Sequence, residues 1–321
     1  AKVEERIATG KRAQAIQLQL KGDDEKQAER ISYKPEKPGE YELILSATAK
    51  GGEITPGNNY LSHRIRVIDD KIRVLYVEYP PRFEYRFLKN AMVRDASLQV
   101  QCLLLSADSD FPQESTPGVE PIREFPSTMT ELMKYDVLVF GDVNPADLAT
   151  GGFDAEAIER NVDAFVAEFG GGVIFIAGVK DNPSSFLGKK FASLLPVIPE
   201  GIYEKTEEGK SQGTAVGYRL TDEGKGHPIT RLLPDPAENL DLWEDRDRSG
   251  DGLMGIFWAS SARKVKPTAT VLVTTEDAPG MERRPLFVSM PYGTGRVFYS
   301  ATDDTWRWRH LVGDRFFFTF W

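Results

Sequence analysis

From residue 71 onward the chain alternates near-continuous apolar β-runs with stretches of helical period, and few folds satisfy that alternation. IRVLYVEY (72–79) reads as a buried strand. Phe83, Phe87, Leu88, Ala91 and Met92 then recur at helical spacing, and LQVQCLLL (98–105) is a second buried strand. Strands that stay apolar on both faces belong to sheets covered on both sides, and strand–helix–strand at this length is a βαβ unit. The grammar repeats with a short helix at STMTELM (127–133), the strand YDVLVFGDV (135–143), and a helix with Ile158, Val162, Phe165, Val166 and Phe169 on one face. GGGVIFIAG (170–178) follows as a fourth strand. The expectation is an α/β fold with a doubly wound, mostly parallel, flavodoxin-like sheet.

The same sheet is expected to resume at TATVLVTT (268–275), RPLFVSM (284–290) and GRVFYSA (295–301), with PYGTG as the hairpin turn between the last two. Between them, about 196–265, a stretch rich in Gly, Pro and charge reads as an irregular β-containing insertion. TWRWRHLVGDRFFFTFW at the end reads as a helix docked on the sheet.

Residues 1–70 obey different rules. IQLQL (16–20), ERISY (29–33), EYELILSA (40–47) and SHRIRVI (62–68) are β-rich and separated by turn residues, which suggests a partial Ig-like β-sandwich. Tyr41, just after Pro38-Gly39, suits either a tyrosine corner or an ordinary edge-strand position. A length of 321 residues fits two domains at roughly 150 residues each. The boundary is placed at residue 70.

Lys+Arg 40 against Asp+Glu 49 gives a net charge of −9, which excludes a protein that tracks nucleic-acid phosphates with a basic stripe. No run approaches the ~18 apolar residues of a membrane span. The start, AKVEERIATG, has neither an initiator Met nor a signal-peptide core, and reads as the beginning of a piece of a longer protein.

In open α/β sheets ligands sit beyond the carboxyl ends of the strands. There the sequence places Glu78, Arg82, Glu84 and Arg86, then Ser106, Asp108 and Asp110, then Asp142 and Asn144, then Lys180, Asp181, Asn182 and Ser184, and finally Asp303, Asp304 and Trp306. Arg82, Glu84, Arg86, Asp142, Asp181, Asn182, Asp303, Asp304 and Trp306 form the candidate pocket, suited to a cation or a polyol. The alternative is that these residues cap helices and solvate loops, with Asn182 to Ser185 at a helix N-terminus.

Catalytic motifs are scarce. The one cysteine, Cys102, lies mid-strand, no G-x-S-x-G elbow occurs, and His63, His227 and His310 are scattered. DRDRSGDG (245–252) matches the first half of an EF-hand loop, with candidate calcium ligands Asp245, Asp247, Ser249 and Asp251. Position twelve, however, is Ile256 instead of Glu. A charged turn is the competing reading. The glycines at 170–172 precede a strand, not a helix, and form no phosphate cradle.

RVLYVEYPPRFEYRFLKNAM, CLLLSADSDFPQE, YDVLVFGDVNP, EFGGGVIFIAGVKDNPSSF and YSATDDTWRWRH together resemble bacterial, notably planctomycete, membrane proteins of the glutamine amidotransferase-like family. KPGEYEL through GEITPGNNYLSHRIRV similarly resembles the end of an Ig-like adhesion-type repeat. These resemblances imply a class I amidotransferase-like fold over 71–321 and a membrane-tethered parent protein, with this region extracytoplasmic. A class I amidotransferase needs a Cys elbow and an H-x-E pair. Here the corresponding strand runs into Ala177-Gly178, and no H-x-E occurs. The reading is therefore a non-catalytic interaction or ligand-sensing region without cofactor, binding protein partners, other segments of the parent chain or a small polar ligand. The alternative is a hydrolase acting on a sugar or amide through Asp303 and Asp304.

Overall fold

In the computed structural model of the chain, the described residues are 2–7, 10–15, 35, 37–46, 59–67, 70–149, 152, 154–199, 215–244, 252–260, 262, 264–276, 283–310 and 312–321. They fall into two compact units, residues 1–70 and 71–321.

The first unit holds β1 (Lys2–Ile7), β2 (Gly10–Ala15), β3 (Gly39–Ser46) and β4 (Tyr60–Val67). They form one antiparallel sheet in the order β2-β1-β3-β4. The predicted strands at 16–20 and 29–33 lie outside the described residues. β1 and β2 were not foreseen, because KVEERI and GKRAQA are rich in charge and alanine and show no clean alternation. Tyr41 is buried, and its hydroxyl donates to the carbonyl of Lys37 four residues upstream, as a tyrosine corner does. Removing that hydroxyl with Tyr41→Phe is expected to weaken the β3–β4 pairing by about 1 kcal/mol. Amide hydrogen exchange on those two strands, accelerated about fivefold, is the measurement.

The second unit is built on β5 (Ile72–Glu78), β6 (Leu98–Leu104), β7 (Val137–Phe140), β8 (Gly172–Ile176), β9 (Tyr218–Leu220), β10 (Thr270–Thr275), β11 (Pro285–Tyr292) and β12 (Gly295–Ser300). Their order is β6-β5-β7-β8-β12-β11-β10-β9. The first five are mutually parallel, and the last three continue antiparallel. The change of direction is made by the β11–β12 hairpin, where Gly293 sits at φ +58 and a Cβ would meet the Ala167 carbonyl oxygen at 2.2 Å. The sheet is open: β6 and β9 form its two ends and do not pair with each other. Part of the predicted insertion therefore joins the sheet, as β9.

Side-chain alternation divides the core. Leu75 and Val77 of β5 pack with Phe140, Phe175 and the helices α2 (Met129–Leu132), α3 (Ala155–Ala167) and α4 (Phe191–Leu194) on one face. Helices α5 (Asp222–Gly226) and α6 (Pro236–Glu244) follow β9, and Val74 and Tyr76 pack on the other face with α1 (Phe83–Arg94) and with Phe317 of α7 (Arg315–Phe320). The outer edge of β6 is covered by the segment 113–116. Cys102 N–H donates to Glu114 O at 2.8 Å, and the Gln113 side-chain amide pairs with both backbone groups of Leu104 at 2.8 and 3.1 Å.

Three local expectations are corrected. α3 stops at Ala167, Gly170 turns the chain at φ +78, and Phe169 is 51% exposed instead of core-facing. The terminal segment is not one helix: a 3-10 turn over Thr305–Arg309 is separated from α7 by Gly313 at φ +69. Ser184–Phe186 is a 3-10 turn with no side-chain cap, so Asn182 to Ser185 do no N-capping. Asn182 is used differently, as described next.

Candidate functional site

β6 and β7 flank β5 on opposite sides, so the chain's crossovers diverge beyond the carboxyl ends of β5 and β7. Glu78, the last residue of β5, fills that point. It is fully buried and accepts from Tyr79 N at 3.2 Å, Asp142 N at 2.8 Å, and Arg82 Nε and Nη2 at 3.3 and 3.0 Å. Gly141 makes the room, since a Cβ there would lie 2.2 Å from Glu78 Oε2. Arg82 precedes α1 and ties three strands together. Besides Glu78 it donates through Nη1 to Ala177 O at 2.7 Å and Asp303 Oδ2 at 3.0 Å, and through Nη2 to Ile176 O at 3.4 Å. These contacts engage all five guanidinium N–H groups. Burial opposes the charge of Arg82, but Glu78 and Asp303 outweigh it and hold its pKa above the ordinary range.

The carboxylates differ in what surrounds them. Burial raises Glu78, against the pull of Arg82, and it raises Asp303 against the same pull. Asp303 keeps 23% of its side chain exposed. Glu84, inside α1, is sealed. Its carboxyl group accepts from the Thr305 hydroxyl and from Trp306 N at 2.9 Å, and burial raises its pKa to about 8. Asp304 accepts from Phe257 N at 2.7 Å, Trp258 N at 3.2 Å and Arg307 Nε at 2.8 Å.

The structure thus gathers Arg82, Glu84, Asp303, Asp304 and Trp306 around the 303–306 segment as a network of three hydrogen-bonded sets, Arg82 with Asp303, Glu84 with Trp306, and Asp304 with Arg307, but it reassigns most of the predicted pocket. Asp142 fixes a turn by accepting from the backbone N–H groups of Lys180, Asp181 and Asn182 at 3.0, 2.8 and 3.0 Å. Asn182 is buried and donates to the carbonyls of Gly141 at 2.9 Å and Ile176 at 3.2 Å. Asp181 pairs with Asn144 at 3.0 Å, and its carboxyl is raised by burial and by Asp142. Arg86 is exposed on α1. Of the predicted carboxylates in the network, Asp303 is the one that reaches solvent.

Cys102 is buried in β6, and burial pushes its thiol up to about 12, which makes it inert as a nucleophile. His227 is a turn cap, with Nδ1 accepting from Ile229 N at 3.2 Å. Asp245, Asp247, Ser249 and Asp251 lie outside the described residues. Among the described residues no group of three or more His, Cys, Asp or Glu side chains could hold a metal ion.

A cavity of about 440 Å³ opens apart from this network, beside the carboxyl end of β6, lined among others by Leu105, Asp108, Phe111, Glu120 and Arg123. Its charged residues are exposed loop side chains. Of the apolar residues at helical spacing on α1, Leu88 and Met92 face inward, together with Glu84 and Tyr85, whereas Phe83 is 59% exposed.

Glu84 makes stability depend on pH. The folded protein holds its proton to about pH 8, whereas an unfolded glutamate releases it near 4.5, so between those values the folded state binds more protons. Stability therefore falls as pH rises through that window. Glu84→Gln is expected to flatten the fall, because an amide has no proton to release in that window while its oxygen can still accept from Trp306 N. Denaturant midpoints at pH 5 and pH 8 for both proteins are the measurement.

No family model matches the chain, and no curated protein does. Among solved structures the chain is similar to a cytoplasmic protein of Salmonella typhimurium, at 15% identity and TM-score 0.46, covering 88% of this chain and 93% of that one. It is also similar to the cold-adapted β-galactosidase of Rahnella sp. R3, at 14% identity and TM-score 0.38, covering 74% and 30%. A third is the exo-β-1,4-mannosidase of Opitutaceae bacterium strain TAV5, at 13% identity and TM-score 0.37, covering 78% and 35%. Likenesses this distant assign neither family nor activity.

They do not name an amidotransferase, and with no family model behind it the amidotransferase-like resemblance is withdrawn. The membrane-tethered, extracytoplasmic parent is withdrawn with it. That placement rested on the resemblances, and no helix among the described residues is long and apolar enough to cross a membrane.

Proposed function

We propose that the second unit binds a sugar at the carboxyl edge of its sheet, with Asp303 as the contacting carboxylate. The observation that carries this reading is the contrast within the network: Asp303 reaches solvent while every donor of the guanidinium behind it is engaged. A carboxylate held rigidly from the rear accepts hydroxyl groups without reorganising, which is what a polyol site needs. The order of β6, β5, β7 and β8 supports a flavodoxin-like reading of the sheet, whose ligand crevice lies at this edge. The cavity beside β6 is the weaker place, because its exposed acids are not fixed in this way.

A second reading, hydrolysis of a glycoside or amide at the same edge, is favoured by one specific observation. Burial raises the pKa of Asp303, the carboxylate of the network that reaches solvent, as a group that exchanges a proton with substrate requires, whereas Glu84 is sealed by Thr305 and Trp306. Asp304 has no part in it, being committed to Phe257, Trp258 and Arg307.

The test is a thermal-unfolding and aryl-glycoside turnover series with methyl pyranosides, alditols and glutamine on the native protein and Asp303→Asn. A ligand at 100 times its Kd adds about 2.7 kcal/mol of stability. A pyranoside shift lost in Asp303→Asn is the expected result. Aryl-glycoside turnover by the native protein that is lost in Asp303→Asn selects hydrolysis over binding alone. Absence of a shift with every sugar rejects the site.

A further inference from the structure

Two consecutive residues of the α1 entrance face the 303–306 segment: Arg82 meets Asp303 at 3.0 Å, and the ring of Phe83 stacks on Trp306 with centroids 4.9 Å apart and planes 29° apart. Phe87 stacks on the same indole at 5.8 Å and 20°. The row is held firmly. Trp306 N–H is bonded to Glu84, Arg307 lies 4.5 Å from the indole centroid, and Arg309 lies 4.0 Å from that of Phe87. With one face on Trp306 and 59% of the residue exposed, Phe83 presents its other face to solvent.

Resting on the sugar-binding reading of Asp303, we infer that Phe83 is the stacking platform of that site and that the ligand is therefore a closed pyranose ring. A pyranose carries a flat face of C–H groups that covers an aromatic ring and a rim of hydroxyls that reach a neighbouring carboxylate. An open-chain polyol offers the hydroxyls without the face, and an amide offers neither. A firmly stacked aromatic beside a fixed carboxylate therefore selects the ring form.

The experiment is calorimetric titration of the full chain with methyl pyranosides of galactose, glucose and mannose and with the matching alditols, using native protein, Phe83→Ala, Phe83→Trp and Asp303→Asn. Phe83 is exposed, so its replacement leaves the fold intact, checked by an unchanged unfolding midpoint. The expected result is pyranoside binding weakened about three- to tenfold in Phe83→Ala and restored in Phe83→Trp, with the preference for ring over alditol lost in the alanine variant. Pyranoside binding that needs Asp303 but is unchanged in Phe83→Ala overturns the platform and leaves the Asp303 site standing. Absence of pyranoside binding to the native protein overturns both.

Discussion

Arg82→Ala is expected to destabilise the second unit by about 3–5 kcal/mol, the range found when one partner of a buried ion pair is removed. The size follows from what is left behind. Glu78 is fully buried at the end of β5, and without the guanidinium its carboxylate keeps two backbone donors and no counter-charge. The carbonyls of Ile176 and Ala177 lose a donor at the same time. Arg82→Lys recovers only part of the loss, because one ammonium cannot reach Glu78, two carbonyls and Asp303 in the planar fork that arginine provides. Glu78→Gln in the Arg82→Ala background removes the uncompensated charge and is expected to restore stability relative to Arg82→Ala alone, a coupling that a double-mutant cycle in guanidinium chloride reads directly. A cost below about 1 kcal/mol for Arg82→Ala would show that the network is solvated and contributes as little as a surface pair.

The same arginine shows where sequence reasoning stops. The strands were legible because β5, β6, β7 and β8 are apolar on both faces, and the rule that ligands gather at carboxyl ends pointed to residues that do meet there. Nothing in the sequence tells that Arg82 and Asp303, 221 positions apart, neutralise each other, or that Glu84 is sealed by Thr305 and Trp306. Both facts arise from packing. The exposure of Phe83 has a similar cause. Apolar residues at 83, 87 and 91 and at 85, 88 and 92 define two adjacent stripes of one helix, and only the sheet beneath decides that Tyr85, Leu88 and Met92 go inside. β1 and β2 were invisible because KVEERI and GKRAQA, although paired as neighbouring antiparallel strands, carry no apolar period to read.

Asp142 illustrates the opposite outcome, a residue that looks functional and holds the backbone. Its carboxylate receives three successive N–H groups of the turn after β8, two on Oδ1 and one on Oδ2, while its own N–H is bonded to Glu78. Asp142→Ala orphans all three donors, and a loss of about 3 kcal/mol or more is expected, given about 1.5–3 kcal/mol for each hydrogen bond to a charged acceptor and incomplete additivity. Asp142→Asn is expected to fall between, since its oxygen can keep two donors while its NH₂ group confronts the N–H of Lys180. Gly178→Ala attacks the same turn sterically, because a Cβ would come within 2.0 Å of Asp142 Cγ and within 2.3 Å of its Cβ and Oδ2. Because both changes break one arrangement, the double variant is expected to lose clearly less than the sum of the singles. If Asp142 instead contacted ligand, its replacement would leave the unfolding midpoint in place and abolish the pyranoside shift, and Gly178→Ala would be indifferent to it. The unfolding midpoints of the four variants, measured without any ligand, separate these two roles.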